Sequence, residues 1–204
     1  MRRHLISLAV AAAVLLALWA YCGREPELRN PQPASRTIVC FGDSLTYGTG
    51  AGRGESYPAR LAALTGREVV NAGVPGDTTA LALERLERDV LSQRPGYVLL
   101  TLGGNDLRQR VPGREIEANL RRIVRSCQDV GALVVIGGIR VPLWGADLKA
   151  VYAAVAREEG AVLIEDIYAG IWGHAELMSD EVHPNAAGYR VMAEGFLTAL
   201  RPHL

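Results

Sequence analysis

A serine stands where an apolar strand gives way to a polar turn. Residues 37–40 are apolar and mostly β-branched, which predicts a buried strand, and Gly42, Asp43 and Ser44 follow it closely. The carboxyl end of the first strand of an open α/β sheet is a common ligand site, so Ser44 is a candidate nucleophile. The alternative is an ordinary strand-to-helix turn in which Asp43 or Ser44 caps a helix.

A serine hydroxyl is a weak nucleophile until a base takes its proton, and His183 is the candidate base. Of the other histidines, His4 lies in the N-terminal segment, His203 lies at the C-terminus and His174 lies in a loop without an obvious partner. Asp180 precedes His183 by three residues. On a tight turn before a helix, this spacing can bring the carboxylate to the far ring nitrogen, where it fixes the tautomer and stabilises the imidazolium. Taken alone, His183 could be a surface residue and Asp180 a helix cap.

The tetrahedral intermediate of acyl transfer also needs hydrogen-bond donors for its oxyanion. The backbone N–H groups of Ser44 and Gly73 and the side-chain amide of Asn105 are candidates, because each residue follows a predicted strand. A glycine at position 73 permits close backbone approach. Individually, Gly73 could be a turn glycine and Asn105 a cap. Their occurrence together at one sheet edge favours acyl-transfer chemistry.

The elements that would bring these residues together alternate regularly along the chain. Apolar runs predict strands at 37–40, 67–71, 97–102, 133–136 and 161–164. Helical spacing of apolar residues predicts helices at about 56–64, 79–93, 114–130, 147–159 and 185–200. Continuous apolar strands that alternate with helices indicate a parallel sheet covered on both faces. We therefore predict one α/β domain over residues 37–204, a three-layer α/β/α flavodoxin-like fold with a five-stranded parallel sheet.

The N-terminus has the pattern of a targeting segment. A basic start is followed by an uncharged run that ends at Tyr21, which predicts a signal peptide or N-terminal membrane anchor over residues 1–22. The positive start predicts export across a bacterial inner membrane, with a periplasmic or membrane-anchored domain. Cys22 is a candidate lipidation site, although Tyr21 is bulkier than such sites favour, so cleavage, lipidation and retention stay open. Three prolines among polar residues predict a linker at 23–36.

The balance of charged residues indicates which binding partners to expect. The 204 residues include 22 basic and 22 acidic side chains and show no basic stripe, so we expect no nucleic-acid partner. Cys40 lies in a predicted strand and Cys127 in a predicted helix, and we interpret both as buried small hydrophobic residues. We expect a monomer.

Four blocks of the sequence resemble the GDSL or SGNH hydrolase family. They are Gly-Asp-Ser-Leu at 42–45, Gly73, Gly-Asn-Asp at 104–106 and Asp-x-x-His-Pro at 180–184. The resemblance extends over about 37–201. In detail it is similar to the branch of arylesterases, acyl-CoA thioesterase I and lysophospholipase L1.

This resemblance implies a role for each residue. Ser44 would be the nucleophile, His183 its base and Asp180 the residue that orients the base. Ser44, Gly73 and Asn105 would supply the oxyanion donors. The resemblance also implies that neither a metal nor a cofactor takes part.

The expected reaction is a two-step acyl transfer from a small-molecule or lipid ester or thioester to water, for example from a lysophospholipid, an acyl thioester or an aryl ester. Substrate contacts are predicted at Asp43, Pro75, Asp106 and Pro142. A carbohydrate O-acetyl esterase is the alternative enzyme, which a polar and shallow pocket would favour. A membrane-tethered binding module without activity and a flavodoxin-like cofactor binder are the alternatives of other classes. The carboxylate of Asp43 argues against a bound phosphate at this turn.

Overall fold

The computed structural model describes residues 27–140 and 148–204. Its strands are β1 (Ile38–Gly42), β2 (Val69–Gly73), β3 (Tyr97–Thr101), β4 (Leu133–Gly137) and β5 (Val162–Ile164). Its α-helices are α1 (Ser44–Tyr47), α2 (Tyr57–Thr65), α3 (Thr79–Asp89), α4 (Gly104–Arg108), α5 (Gly113–Asp129), α6 (Lys149–Glu159) and α7 (Ala186–Leu200). Short 3₁₀ turns are formed by Leu91–Gln93, Ala175–Leu177 and Arg201–His203. All pairings are parallel and the strand order is β2-β1-β3-β4-β5, so the predicted α/β flavodoxin-like architecture is confirmed.

Successive residues of the central strands enter two separate cores, because side chains alternate between the faces of a sheet. In β1, Val39 and Phe41 pack with α3, α5 and α6, whereas Ile38 and Cys40 pack with α2 and α7. A strand buried on both faces must be apolar throughout, which explains the continuous apolar runs. Cys40 and Cys127 are both buried, as predicted, and neither forms a disulfide within the described residues.

The strand order places a crevice beside Ser44. In the order 2-1-3-4-5, the connections from β1 and β3 leave on opposite faces of the sheet, and ligands bind between the carboxyl ends of these two strands. Ser44 follows β1, and Asn105 follows β3. Both residues lie on the short helices α1 and α4, where the sequence pattern predicted loops.

The second strand lies two residues later than predicted, at Val69–Gly73 in place of 67–71. Its register is fixed by pairing with β1, from Ile38 opposite Val69 to Gly42 opposite Gly73. A short apolar run predicts that a strand is present, but pairing with the neighbouring strand sets its first and last residues.

The described part of the predicted linker, residues 27–36, is attached to the domain. The side-chain amide of Asn30 donates to the carbonyl oxygen of Gln128 at 2.8 Å and to that of Ala132 at 3.0 Å. These carbonyls lie at the end of α5 and just before β4, so Asn30 links residues 27–36 to both elements. Hydrogen bonds of Arg29 and Asn30 therefore attach this stretch to the domain, while none of its side chains is buried.

Residues 1–26 and 141–147 lie outside the described residues, and with them the predicted signal peptide or anchor, Cys22 and Pro142. Export, lipidation and the monomeric state stay predictions. Within the described ranges, no helix combines the length and the apolar character needed to span a bilayer.

Candidate active site

Ser44 is the first residue of α1 and follows β1 after one intervening residue. That residue, Asp43, caps the helix, since its carboxylate accepts the N–H of Leu45 at 3.0 Å. Gly42 has no room for a side chain, because a Cβ would collide with the carbonyl oxygen of Thr101 in β3. The turn that caps α1 therefore also holds Ser44 at the carboxyl edge of the sheet.

Ser44, His183 and Asp180 form a continuous chain of hydrogen bonds. The Nε2 atom of His183 lies 3.0 Å from Ser44 Oγ, and its Nδ1 atom lies 2.8 Å from Asp180 Oδ2. The other carboxylate oxygen of Asp180 accepts the N–H groups of Val182 at 2.8 Å and His183 at 2.7 Å. Burial acts to raise the pKa of Asp180, but these N–H groups and the imidazole together hold that pKa below its usual range.

The turn that carries this pair is fixed on both sides. The N–H of Ser179 donates to the carbonyl oxygen of His183 at 2.8 Å. Asn185 caps α7 by accepting the N–H of Ala187 at 2.9 Å, and its own amide donates to the carbonyl oxygen of Glu176 at 2.8 Å. The histidine therefore approaches Ser44 from a rigid segment two residues before a capped helix.

The side-chain amide of Asn105 reaches the same site from α4. Its Nδ2 atom donates to Asp43 Oδ2 at 3.2 Å and to the carbonyl oxygen of Asp77 at 2.9 Å. Burial raises the pKa of Asp43 to about 7, the N–H of Leu45 opposes that rise, and the nearby carboxylates of Asp77 and Asp106 add to it. The amide is thus held between the cap of α1 and the turn that follows β2.

Gly73 does not lie where an oxyanion donor is needed. It ends β2, which pairs with β1 alone among the described strands. The N–H of Val74 donates to the carbonyl oxygen of Gly42 in β1, and successive N–H groups of a strand point to opposite sides. The N–H of Gly73 accordingly points to the open edge, where it donates to Asn71 Oδ1 at 3.0 Å. Because this N–H points away from β1 and so from Ser44, Gly73 is not an oxyanion donor in this structure, which corrects the prediction.

Gly76 is a further candidate donor, which the sequence analysis did not name. It has a φ of 89°, open space around the position of a Cβ, and no hydrogen-bond partner for its N–H among the described residues. The N–H of Asp77 donates to the carbonyl oxygen of Val74 at 3.2 Å, which closes a turn with Pro75 and Gly76 at its centre. Pro-Gly at these positions is the signature of a type II turn, so the signal was present in the sequence. The bond from Asn105 to Asp77 brings this turn to the site.

The structure places the predicted substrate-contact residues in different environments. Asp106 is fully buried, and its carboxylate accepts the N–H of Thr79 at 2.9 Å and the hydroxyl at 2.6 Å, so it anchors α3 and has no surface for a substrate. Asp43 borders the cavity, but both of its oxygens are bonded within the protein. Pro75 is exposed on the turn after β2, and Pro142 lies outside the described residues.

A cavity of about 260 Å³ opens beside the serine. The residues that line this cavity include Asp43, Ser44, Asn105, Arg108, Ile139, Tyr168, Glu181 and His183. A wider and more open groove of about 620 Å³ lies on the outer side of Asp180, with Trp172, His174 and Met178 in its walls. In the part of the chain that the structure describes, no three His, Cys, Asp or Glu side chains are arranged to hold a metal ion.

Comparisons with known proteins agree with the fold and show the family. The profile of the GDSL-like lipase/acylhydrolase family matches residues 40–191. Esterase TesA of Pseudomonas aeruginosa is 29% identical over 188 residues, which cover 87% of this chain and 94% of that protein. Thioesterase 1/protease 1/lysophospholipase L1 of Escherichia coli is 28% identical over 177 residues, 83% of this chain and 85% of that protein. The crystal structure of TesA superimposes with a TM-score of 0.76 at 30% identity, covering 82% of this chain and 99% of that one.

The matched segment includes both the serine turn and the turn that carries the histidine. The chain therefore belongs to the GDSL-like lipase/acylhydrolase family and is an enzyme of the GDSL/SGNH esterase type.

Proposed function

We propose that the enzyme hydrolyses carboxylic esters or thioesters with Ser44 as nucleophile and a covalent acyl-enzyme as intermediate. The observation that carries this proposal is the unbroken hydrogen-bond chain from Ser44 Oγ through His183 to Asp180, with bonds of 3.0 and 2.8 Å. A serine, a base and a group that orients the base within hydrogen-bond reach are what nucleophilic acyl transfer requires.

In the first step, Ser44 Oγ attacks the carbonyl carbon and His183 Nε2 accepts the hydroxyl proton. Asp180 stabilises the imidazolium that forms. The oxyanion accepts hydrogen bonds from the N–H groups of Ser44 and Gly76 and from the Asn105 amide, which exchanges its 3.2 Å bond to Asp43 for one to the oxyanion. The intermediate then collapses, His183 gives its proton to the leaving alcohol or thiol, and the acyl group stays on the serine.

In the second step, a water molecule takes the place of the alcohol or thiol. His183 removes a proton from this water, which attacks the acyl carbon, and the same oxyanion donors serve again. Collapse of the second intermediate returns the proton to Ser44 and releases the carboxylic acid.

The size of the cavity favours short acyl groups. Its volume of about 260 Å³ is below that of pockets that enclose larger ligands, and the side chains of Arg108 and Glu181 make its walls partly polar. The same observation supports the second candidate function, removal of O-acetyl groups from a carbohydrate. Both reactions use the same serine and differ in the group that leaves.

The test compares p-nitrophenyl acetate, p-nitrophenyl decanoate and an acetylated xylo-oligosaccharide as substrates of the full-length chain and of Ser44→Ala. We expect Ser44→Ala to lower kcat/KM by a factor of at least about 10⁴, whereas Ser92→Ala, at an exposed serine that bonds only Arg88 and Gln93, leaves it unchanged. A higher kcat/KM for the acetate than for the decanoate would support the short-acyl assignment. Full activity of Ser44→Ala would refute the mechanism.

A further inference from the structure

Arg85 is a buried cation of α3 that does not line the cavity. Its side chain is 9% exposed, its guanidinium lies 4.6 Å from the centre of the Phe41 ring, and its Nε atom donates to Asp77 Oδ2 at 2.6 Å. A second ion pair joins Nη1 to Asp89 at 3.1 Å. A buried ion pair adds little net stability compared with an apolar pair of the same size. Removing one partner of such a pair is nevertheless costly, so the side chain has a structural role, and its other contacts show which segments it holds together.

The remaining donors of this guanidinium reach the ends of two strands. Nη1 donates to the carbonyl oxygen of Ala72 at 2.9 Å, and Nη2 donates to that of Gly42 at 3.0 Å. Gly42 ends β1 and leads into the turn of Ser44, whereas Ala72 lies in β2 just before the turn of residues 74–77. A planar guanidinium holds its acceptors at fixed spacing, which a lysine ammonium cannot do.

The same side chain also controls the position of Asn105. Asp77, whose carboxylate is held by Arg85, offers its backbone carbonyl to Asn105 Nδ2 at 2.9 Å. Asp77 also follows Gly76 directly. The Arg85 guanidinium is thus linked to all three proposed oxyanion donors. It reaches Gly76 and Asn105 through Asp77, and it holds the carbonyl of Gly42, two residues before Ser44.

We propose that Arg85 is a positioning residue for the oxyanion site, which sets the distance between the Ser44 turn and the turn at residues 74–77. This inference rests on the proposed function and deepens it. Arg85 contacts neither the substrate nor the reacting atoms. Its effect is on rate, since a displacement of about 1 Å in a catalytic group can cost about 100-fold.

The test is Arg85→Lys in the full-length chain, assayed with p-nitrophenyl acetate. The lysine keeps a positive charge near Asp77 but cannot reach both strand-end carbonyls. We expect kcat to fall by about 10- to 100-fold with KM changed by less than about threefold, because the donors act on the transition state and not on the bound ester. The matched control is Arg121→Lys, at an arginine that is 17% exposed and pairs with Glu117 and Glu159 between α5 and α6. Its kcat should equal that of the wild type.

A second readout separates positioning from activity. The ¹⁵N–¹H signals of the Asn105 side-chain amide report its bonds to Asp43 and Asp77 directly. They should shift in Arg85→Lys and stay in place in Arg121→Lys, and the spectra of both variants should keep the dispersed backbone signals of a folded protein. Unchanged Asn105 signals, or a kcat within twofold of the wild type, would overturn the proposal.

The two proposals fail in different ways. If the wild type cleaves no ester, the proposed function is wrong, and a shift of the Asn105 signals in Arg85→Lys then shows only that Arg85 holds this amide in place. If Ser44→Ala is inactive while Arg85→Lys is fully active, the function stands and the positioning role is wrong.

Discussion

Replacement of Asp43 by asparagine should change how the stability of the protein depends on pH. Burial raises the pKa of Asp43 to about 7, against an ordinary value of about 3.8 in an unfolded chain. Between these two values the folded state binds a proton that the unfolded state does not bind. The free energy of unfolding of the wild type therefore contains a favourable contribution at low pH that is lost as the pH rises through 7.

The size of this contribution follows from the two pKa values. From these values, the contribution of Asp43 to the free energy of unfolding falls by about 3 kcal/mol between pH 5 and pH 8. The substituted amide has no proton to lose, although it has nearly the same shape as the carboxyl group and can still accept the N–H of Leu45. Relative to the wild type, Asp43→Asn should therefore be more stable at pH 8 than at pH 5 by about this amount.

The assay is urea-induced unfolding followed by tryptophan fluorescence, for both proteins at pH 5 and at pH 8. Asp129→Asn is the matched control, because it makes the same chemical change at a carboxylate that is 65% exposed. For each variant we take the free energy of unfolding at pH 8 minus that at pH 5. This quantity should be more positive by about 3 kcal/mol for Asp43→Asn than for Asp129→Asn. Equal differences would refute the argument that burial controls the titration of Asp43.

Two further substitutions test the roles of individual carboxylates. Asp180→Asn should lower kcat on p-nitrophenyl acetate by about 10³- to 10⁴-fold, because an amide N–H facing His183 Nδ1 favours the wrong tautomer. A loss smaller than tenfold would argue against Asp180 as the residue that orients the base. Asp106→Ala should lower the free energy of unfolding by about 1–3 kcal/mol, since it leaves the buried N–H and hydroxyl of Thr79 without their acceptor. Urea unfolding measures this change, and a stability equal to that of the wild type would contradict the anchoring role.

Much of the fold could be predicted from local patterns. Continuous apolar runs alternating with amphipathic segments predicted the parallel sheet, because a strand covered on both faces can be recognised from its own residues. The approach of His183 to Ser44 could be expected for a related reason. Residues that follow strands or precede helices meet at one edge whenever all strands run in the same direction.

The errors concern contacts between distant segments. Gly73 and Gly76 both follow the strand predicted at 67–71, and only the pairing of β2 with β1 shows that the N–H of Gly73 points away from the serine. The same holds for Asn30, whose place against α5 no local pattern indicates.

The sequence by itself determined the order of the elements, the edge at which chemistry could occur and the residues able to carry it out. The tertiary structure decided which of the acidic residues lie beside the serine and the histidine. The sequence placed both Asp106 and Asp180 among the candidate site residues. In the structure, Asp106 is fully buried and bonds Thr79, whereas Asp180 bonds His183. The physical reason is that a hydrogen bond depends on distance and direction between segments, and these are set only when the helices pack on the sheet.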